Sequence, residues 1–465
     1  MSTVGIIAEF NPFHNGHMYA INKARELTGA DTVIVVMSGD FVQRGAPAVC
    51  DKYLRTEMAL SCGADAVFEL PVRYSSSSAQ GFAEGACTLL AETGVVDYLC
   101  FGSECGNIET ISHIADEIER FEKDPAFHAK LVELMSTGRS FPAARAELIA
   151  INTGIDPTII NSPNNILAIE YCLALKKLSA IGKCPVPVTF KRLGDNYNED
   201  SITDSFFTSA TAIRRLLTAT KRGDELSFIE PYIPDKCLKI LRHGLSSGLP
   251  LTEDDFSTAL YVKINSMSEE ELRLIPCING DLLNSIINRT KTPFRITRLI
   301  ADIKSKAFTY TAISRALFSI LLAPVPPAPD SDGTRVTSSS GSEVTASDDT
   351  VASSEAATSV HTGSASDVSA ASHESADSSN DFSNNRAFSP YLRLLGFRRA
   401  SSGILRDIRK NAAVPVITKL ADADLTQTML LQDINAAKLY EQVKISKFGT
   451  GSYKDEFRTG VIIKD

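Results

Sequence analysis

No apolar run in this 465-residue chain approaches the roughly 18 residues that a membrane-spanning helix needs, which argues against an integral helical membrane protein. The chain enters a strand directly, without a basic leader segment or cleavage site, so no secretory signal is expected. Nine cysteines, an odd number with no C-x-x-C pair, argue against both a disulfide framework and a zinc ribbon. A cytoplasmic protein is the expectation. No self-similarity at a period of roughly 20 to 50 residues is apparent, so a repeat architecture is not expected. An excess of basic charge is also missing, since the net charge is −9. That deficit is local: residues 330–381 carry ten acidic residues and Arg335 as their only base, leaving acids and bases equal elsewhere. Bulk charge therefore says nothing against a nucleic-acid partner.

What the chain has is an ordinary globular composition, 43% hydrophobic, at a length that suggests two or three domains. Its most informative stretch runs from Val4 to His17. Val4 to Ala8 reads as a buried strand, Asn11 and Pro12 mark a turn, and Met18 to Leu27 has helical spacing. A strand, a tight turn and a helix start point unpaired backbone N–H groups at whatever lies over the turn, and a phosphate is the natural guest. His14 and His17, three residues apart, lie about one turn apart on one face. Neutral or charged, both rings can donate hydrogen bonds to phosphate oxygens and stabilise charge on a leaving pyrophosphate. Gly16 removes a Cβ that would keep a nucleotide from the backbone. A metal pair, or two histidines on a solvated face, are the competing readings; no Asp, Cys or third His follows at ligand spacing, so no metal is expected.

The string Ala8-Glu9-Phe10-Asn11-Pro12-Phe13-His14-Asn15-Gly16-His17 resembles the H-x-G-H nucleotidyltransferase superfamily, and within it the bacterial tRNA(Met) cytidine acetate ligase family. Glu9 and Asn11 stand where common adenylyltransferases carry Ser/Thr and Asp, which fits the ligase branch. The resemblance implies a Rossmann-like α/β fold, a doubly wound parallel sheet followed by a mostly α-helical RNA-binding region. It implies His14 and His17 as catalytic residues, and an ATP site at Ile7, Ala8, Glu9, Phe10, Asn11, Pro12, Phe13, His14, Asn15, Gly16, His17, Met18, Tyr19 and Ala20. Gly102, Asn164 and Arg192 are carried over as further ATP contacts. ATP, accompanied by Mg2+, acetate and elongator tRNA(Met) are the implied substrates, with no protein partner and no membrane. Acetate would attack the α-phosphate to give acetyl-adenylate, and the wobble cytidine amine would take the acetyl group. A nucleotidyltransferase for a small phosphorylated substrate and a nucleotide-sensing RNA-binding protein without turnover are the alternatives.

Along the chain, strands are expected at 31–36, 66–71 and 95–101, alternating with helices at 51–60 and 80–90, which implies parallel β/α units. Met37 to Gly45 reads as an active-site loop, with Arg44, Lys52 and Arg55 able to meet triphosphate oxygens. Residues 108–135 and 142–151 read as helical layers. Ser162 or Asn164 can cap the next helix, and 186–191 is strand-like. Ser209 and Thr211, in Ser209-Ala210-Thr211-Ala212-Ile213-Arg214, offer hydroxyls at a helix start, and the motif resembles the superfamily's second phosphate-binding signature. Residues 289–315 hold seven bases, including Arg295, Arg298, Lys304 and Lys306, interleaved with Phe294, Phe308 and Tyr310, a pattern suited to a phosphate backbone and unpaired bases. Arg398, Arg399, Arg406, Arg409 and Lys410 form a second basic cluster. The expected division is a catalytic domain at 1–222, a helical tRNA-binding domain at 223–323, a disordered acidic insertion at 324–386, and a C-terminal α/β segment at 387–465 completing the tRNA-binding region.

Overall fold

A computed structural model describes residues 2–182, 184–193, 208–219, 226–246, 248, 250–275, 278–324, 389–449 and 454–465. The expected insertion, apart from Pro324, and the expected boundary at 222/223 lie outside the described residues. Residues 1–323 and 385–465 belong to one compact unit. No helix among the described residues is long and apolar enough to cross a membrane.

Five parallel strands form the centre: β1 (Thr3–Ala8), β2 (Thr32–Ser38), β3 (Ala66–Leu70), β4 (Tyr98–Ser103) and β5 (Val186–Lys191), in the order β3-β2-β1-β4-β5. β2 and β3 are buried along their whole length, as expected of near-continuous apolar strands covered on both faces. Helices α1 (Asn15–Thr28), α2 (Lys52–Ser61), α3 (Ala79–Glu92), α4 (Ile108–Glu122) and α5 (Pro163–Ser179) come from the segments between these strands. The strand order reverses direction at β1, so the turn after β1 faces a crevice beyond the strands' carboxyl ends, where such sheets bind ligands.

The C-terminal segment, expected at 387–465, joins the central sheet. Its strand β6 (Leu392–Arg398) pairs antiparallel with β3 and so extends that sheet. Two short strands, β7 (Val416–Ile417) and β8 (Ile462–Lys464), then pair parallel with β6. The signal for this long-range pairing was weak because Leu392 to Gly396 is buried without alternation and could have sat in any core.

Helices α6 (Ala210–Ala219), α7 (Asp235–Ser246), α8 (Ser257–Ser266), α9 (Gly280–Arg289), α10 (Ile296–Ile303) and α11 (Tyr310–Leu322) follow β5, and α7 to α11 fall within 223–323, the stretch expected to be helical. Their core is continuous with that of the sheet. Phe41, from the loop after β2, meets Phe256 at 5.5 Å, Phe318 at 5.9 Å and Tyr440 at 6.2 Å between ring centroids. The Tyr440 hydroxyl, on helix α12 (Thr428–Phe448), donates to the Ala48 carbonyl at 2.8 Å. The loop after β2 is thus pinned at its tip by apolar burial.

A buried ion cluster closes the C-terminus onto the sheet. Lys52 Nζ lies 2.8 Å from carboxylate oxygens of both Glu69 and Glu456, and Arg393 meets the same two carboxylates. Tyr53 donates its hydroxyl to Glu456 at 3.1 Å. Burial alone would raise the Glu456 carboxyl, but the Lys52 and Arg393 charges outweigh it and hold it down to about 2. Removing one member strands its partners, so Glu456→Gln is expected to cost about 3–5 kcal/mol in denaturant unfolding at neutral pH. An unfolded glutamate protonates near 4.5 while folded Glu456 stays ionised. The advantage over Glu456→Gln should therefore be full above pH 4.5 and shrink as the pH falls toward 2.

Candidate active site

The turn after β1 is held from three sides. Arg55 on α2 is fully buried beneath it, and its guanidinium donates to the carbonyls of Glu9 (2.7 Å), Ser38 (2.9 Å) and Cys50 (2.9 Å), and to that of Gly39. Asn11 Oδ1 accepts from Val49 N at 2.8 Å, and the Asn11 carbonyl accepts from Arg214 on α6 at 2.9 Å. Phe10 takes a left-handed φ of 49°, unfavourable for a large side chain, and its buried ring compensates by packing on Phe13 and His17 at 4.8 and 4.9 Å.

His14 is the N-cap of α1 and His17 its third residue, and the two rings stack with centroids 3.8 Å apart. His14 Nδ1 accepts from Gly16 N at 3.0 Å, and His17 Nδ1 accepts from His14 N at 3.2 Å, a reciprocal capping box built from imidazoles. A ring nitrogen that accepts carries no proton, so each neutral ring keeps its proton on Nε2. Burial first, then the charges of Arg192 and Arg214, push His14 down to about 3. Burial and the neighbouring His14 ring, with the same arginines, hold His17 well below the usual imidazole range. Both are therefore neutral Nε2–H donors at pH 7, which resolves the open choice of charge state. Gly16 has a nearer task than admitting a nucleotide: a Cβ there would come within 2.8 Å of His14 Cε1.

The second half of the site gathers behind β4. A Cβ on Gly102 would come within 2.8 Å of Arg192 Cγ and 3.0 Å of the Phe190 ring, so Gly102 lets Arg192 lie across the strand end. Arg192 N donates to Ser103 O at 3.0 Å. Ser162 is the N-cap of α5 but makes no side-chain capping bond, contrary to expectation. The Glu104 carboxylate does that work instead. It accepts from Asn164 N (3.0 Å), Asn164 Nδ2 (2.7 Å) and Asn165 N (2.7 Å). Asn165 Oδ1 accepts in return from Glu104 N and Cys105 N at 2.9 and 3.2 Å. Glu104 and Asn165 are thus structural members of the site that the sequence reading gave no role, and Arg214, quoted there only as the end of a motif, is a third; the position of Glu104, directly beyond a strand end, was the hint available.

Ser209 caps α6, accepting from Ala212 N at 3.1 Å, and Thr211 Oγ1 accepts from Arg214 at 2.9 Å, so this helix start stands beside Asn11. Arg44, Arg214, Arg215, Glu9 and Tyr310 line an adjoining cavity of about 280 Å³. Lys52 and Arg55 do not face this crevice: Lys52 is fully buried between Glu69 and Glu456, and Arg55 spends its donors on backbone carbonyls. Arg295, Arg298, Lys304 and Lys306 are exposed on or beside α10, with Arg295 3.8 Å from Asp254 and Arg298 3.2 Å from Asp302. Phe294 and Phe308 are half-buried against the core, and only Tyr310 of the interleaved aromatics is exposed.

The HIGH Nucleotidyl Transferase family model matches residues 1–329 and 373–454. The tRNA(Met) cytidine acetate ligase of Acetivibrio thermocellus is 33% identical over 91% of this chain and 89% of its own length. The protein of the same name from Clostridium novyi is 32% identical over 99% of both. Thermotoga maritima TmcAL bound with alpha-thio ATP superposes with a TM-score of 0.76 at 26% identity, each chain being covered completely.

Neutral histidines have a measurable signature. The imidazole resonances of His14 and His17 should not titrate between pH 8 and 5 in NMR spectra, and a protonation step near 6.5 in either ring would contradict this geometry. Unfolded His14 binds a proton below about pH 6.5 whereas folded His14 does so only near 3. Its contribution to stability is therefore present above 6.5 and is lost at about 1.4 kcal/mol per pH unit as the pH falls between those values.

Proposed function

As a member of the HIGH nucleotidyl transferase family, alongside relatives named tRNA(Met) cytidine acetate ligase, the chain is an ATP-dependent ligase, and we propose that it acetylates the wobble cytidine of elongator tRNA(Met) through an acetyl-adenylate. The observation that carries the adenylation half is the pair of Nε2–H donors, oriented by backbone bonds at a helix N-terminus and flanked by Arg192 and Arg214. An acetate oxygen attacks the α-phosphorus of ATP, the bond to the bridging oxygen breaks, and pyrophosphate leaves with the charge that His14 and His17 stabilise. The cytidine N4 amine then attacks the acetyl carbonyl, an amide forms, and AMP departs. No side chain need act as nucleophile, so orientation and preorganised donors supply the rate.

The same reading assigns Gly102, Asn164 and Arg192 to the nucleoside end of ATP, and Ser209, Thr211 and Arg44 to its phosphate end. The exposed bases Arg295, Arg298, Lys304 and Lys306 contact tRNA phosphates. Among the described residues no cluster of acidic, His or Cys side chains fits a metal ion. In this reading Mg2+ enters on the triphosphate, as part of the substrate.

Acetate-dependent exchange of labelled pyrophosphate into ATP tests the first half directly, and its absence from a folded protein, with or without tRNA, would overturn the reading. Mass spectrometry of tRNA nucleosides should then show N4-acetylcytidine, with AMP rather than a dinucleotide as coproduct. His17→Ala should lower kcat for exchange about a hundredfold, as for other preorganised donors. Glu104→Gln should raise KM for ATP about tenfold with little change in kcat, because it loosens Asn164 without touching the phosphates.

A further inference from the structure

Cys62 and Cys237 are 175 residues apart in sequence, yet their sulfur atoms lie 3.3 Å apart. Cys62 caps the C-terminus of α2, behind the sheet, and Cys237 sits in the first turn of α7. Cys237 is fully buried, whereas Cys62 is half-buried and lines an open cleft of about 1050 Å³, together with Asn15, Met18, Lys236, Arg398 and Lys464. One sulfur is therefore reachable from solvent and the other waits directly behind it. That is the arrangement of an attacking and a resolving thiol. A disulfide needs sulfurs at about 2.05 Å, so closure requires a shift of roughly an ångström, within the reach of χ1 adjustments.

The geometry points to Cys62 and Cys237 as a reversible oxidation site that takes hydrogen peroxide as its oxidant and closes to a disulfide between α2 and α7. The Cys62 sulfur attacks the peroxide O–O bond and takes the hydroxyl; the hydroxide that leaves picks up the thiol proton to become water. The Cys237 sulfur then attacks the Cys62 sulfur, the S–S bond forms, the S–O bond breaks, and the Cys237 proton leaves with the second water. The two sulfurs supply the two electrons that reduce the peroxide. Hydrogen bonding from Cys237 and the nearby Lys236 charge lower the Cys62 thiol below its usual range, while the Cys62 interaction and burial raise Cys237. This ordering makes Cys62 the sulfur that reacts first.

The bond would act near the catalytic turn without using it. Asn15, the residue after His14, donates its side-chain amide to the Pro231 carbonyl at 2.8 Å, four residues before α7 begins. Closing the disulfide would fix α7 on α2 and hold this contact. The proposal stands independently of the tRNA reading, because it uses neither ATP nor RNA.

The test is to treat the full chain with a modest excess of hydrogen peroxide, alkylate the remaining thiols and map unreduced peptides by mass spectrometry. A Cys62–Cys237 peptide pair that dithiothreitol separates is the expected result, with a higher thermal midpoint for the oxidised protein. Cys237→Ser should leave Cys62 as a sulfenic acid that dimedone traps, and Cys62→Ser should leave Cys237 unoxidised. Recovery of both cysteines of the wild-type chain as alkylated thiols, while half-buried Cys105 or Cys184 is oxidised, would overturn the proposal. The wild-type map decides the question even if either variant fails to fold.

Discussion

Two backbone N–H groups, those of His14 and Gly16, each give their hydrogen to an imidazole Nδ1, and the site depends on this exchange. A helix start ordinarily satisfies its orphan donors with Ser, Asp or Glu. Here the caps are histidines, so satisfying the backbone also fixes which ring nitrogen keeps its proton. Capping and chemistry become one constraint. Gly16 follows from it, because the His14 ring folds over the helix start where any Cβ would stand. The support beneath is of the same kind: Arg55 serves the carbonyls at the ends of β1 and β2, and Glu104 serves the N–H groups at the start of α5. Charged side chains complete backbone ends that the strand and helix ladders leave open.

Neutral imidazoles suit a crevice that already holds guanidinium charge. A cationic ring beside Arg192 and Arg214 would have to overcome their repulsion as well as desolvation. A neutral Nε2–H avoids that cost and still strengthens as negative charge gathers on the atom it faces. Arginine attraction acts on a polyanion before and after reaction alike, whereas an oriented N–H discriminates by position. In the proposed reaction, the arginines would gather the guest and the histidines would respond to the change.

The sequence made this core legible where chemistry and position coincided. The spacing of His14 and His17, after an apolar strand and before a helical pattern, announced the turn from β1 into α1, and the alternation of strands and helices to Ser103 matches β1 through β4. Lys52 and Arg55 were misread because a cation near a Gly-rich loop looks the same whether it faces solvent, substrate or a buried carboxylate. Only the fold brings Glu69 and Glu456 around Lys52. Glu104 was passed over because its partners, Asn164 and Asn165, lie about sixty residues away. Phe294 and Phe308 looked like base-stacking aromatics, yet their spacing serves the core equally well.

The return of the C-terminus to β3 ties the two ends of the described chain to one sheet. Helix α11 ends at Leu322 and β6 begins at Leu392, and both belong to the same compact unit. There β6 pairs with β3, Arg393 enters the ion cluster, and Tyr391 donates to Asp433, whose other oxygen accepts from Val72 N at 2.7 Å. Around His14 and His17 the arginine charges that bear on the rings are those of Arg192 and Arg214.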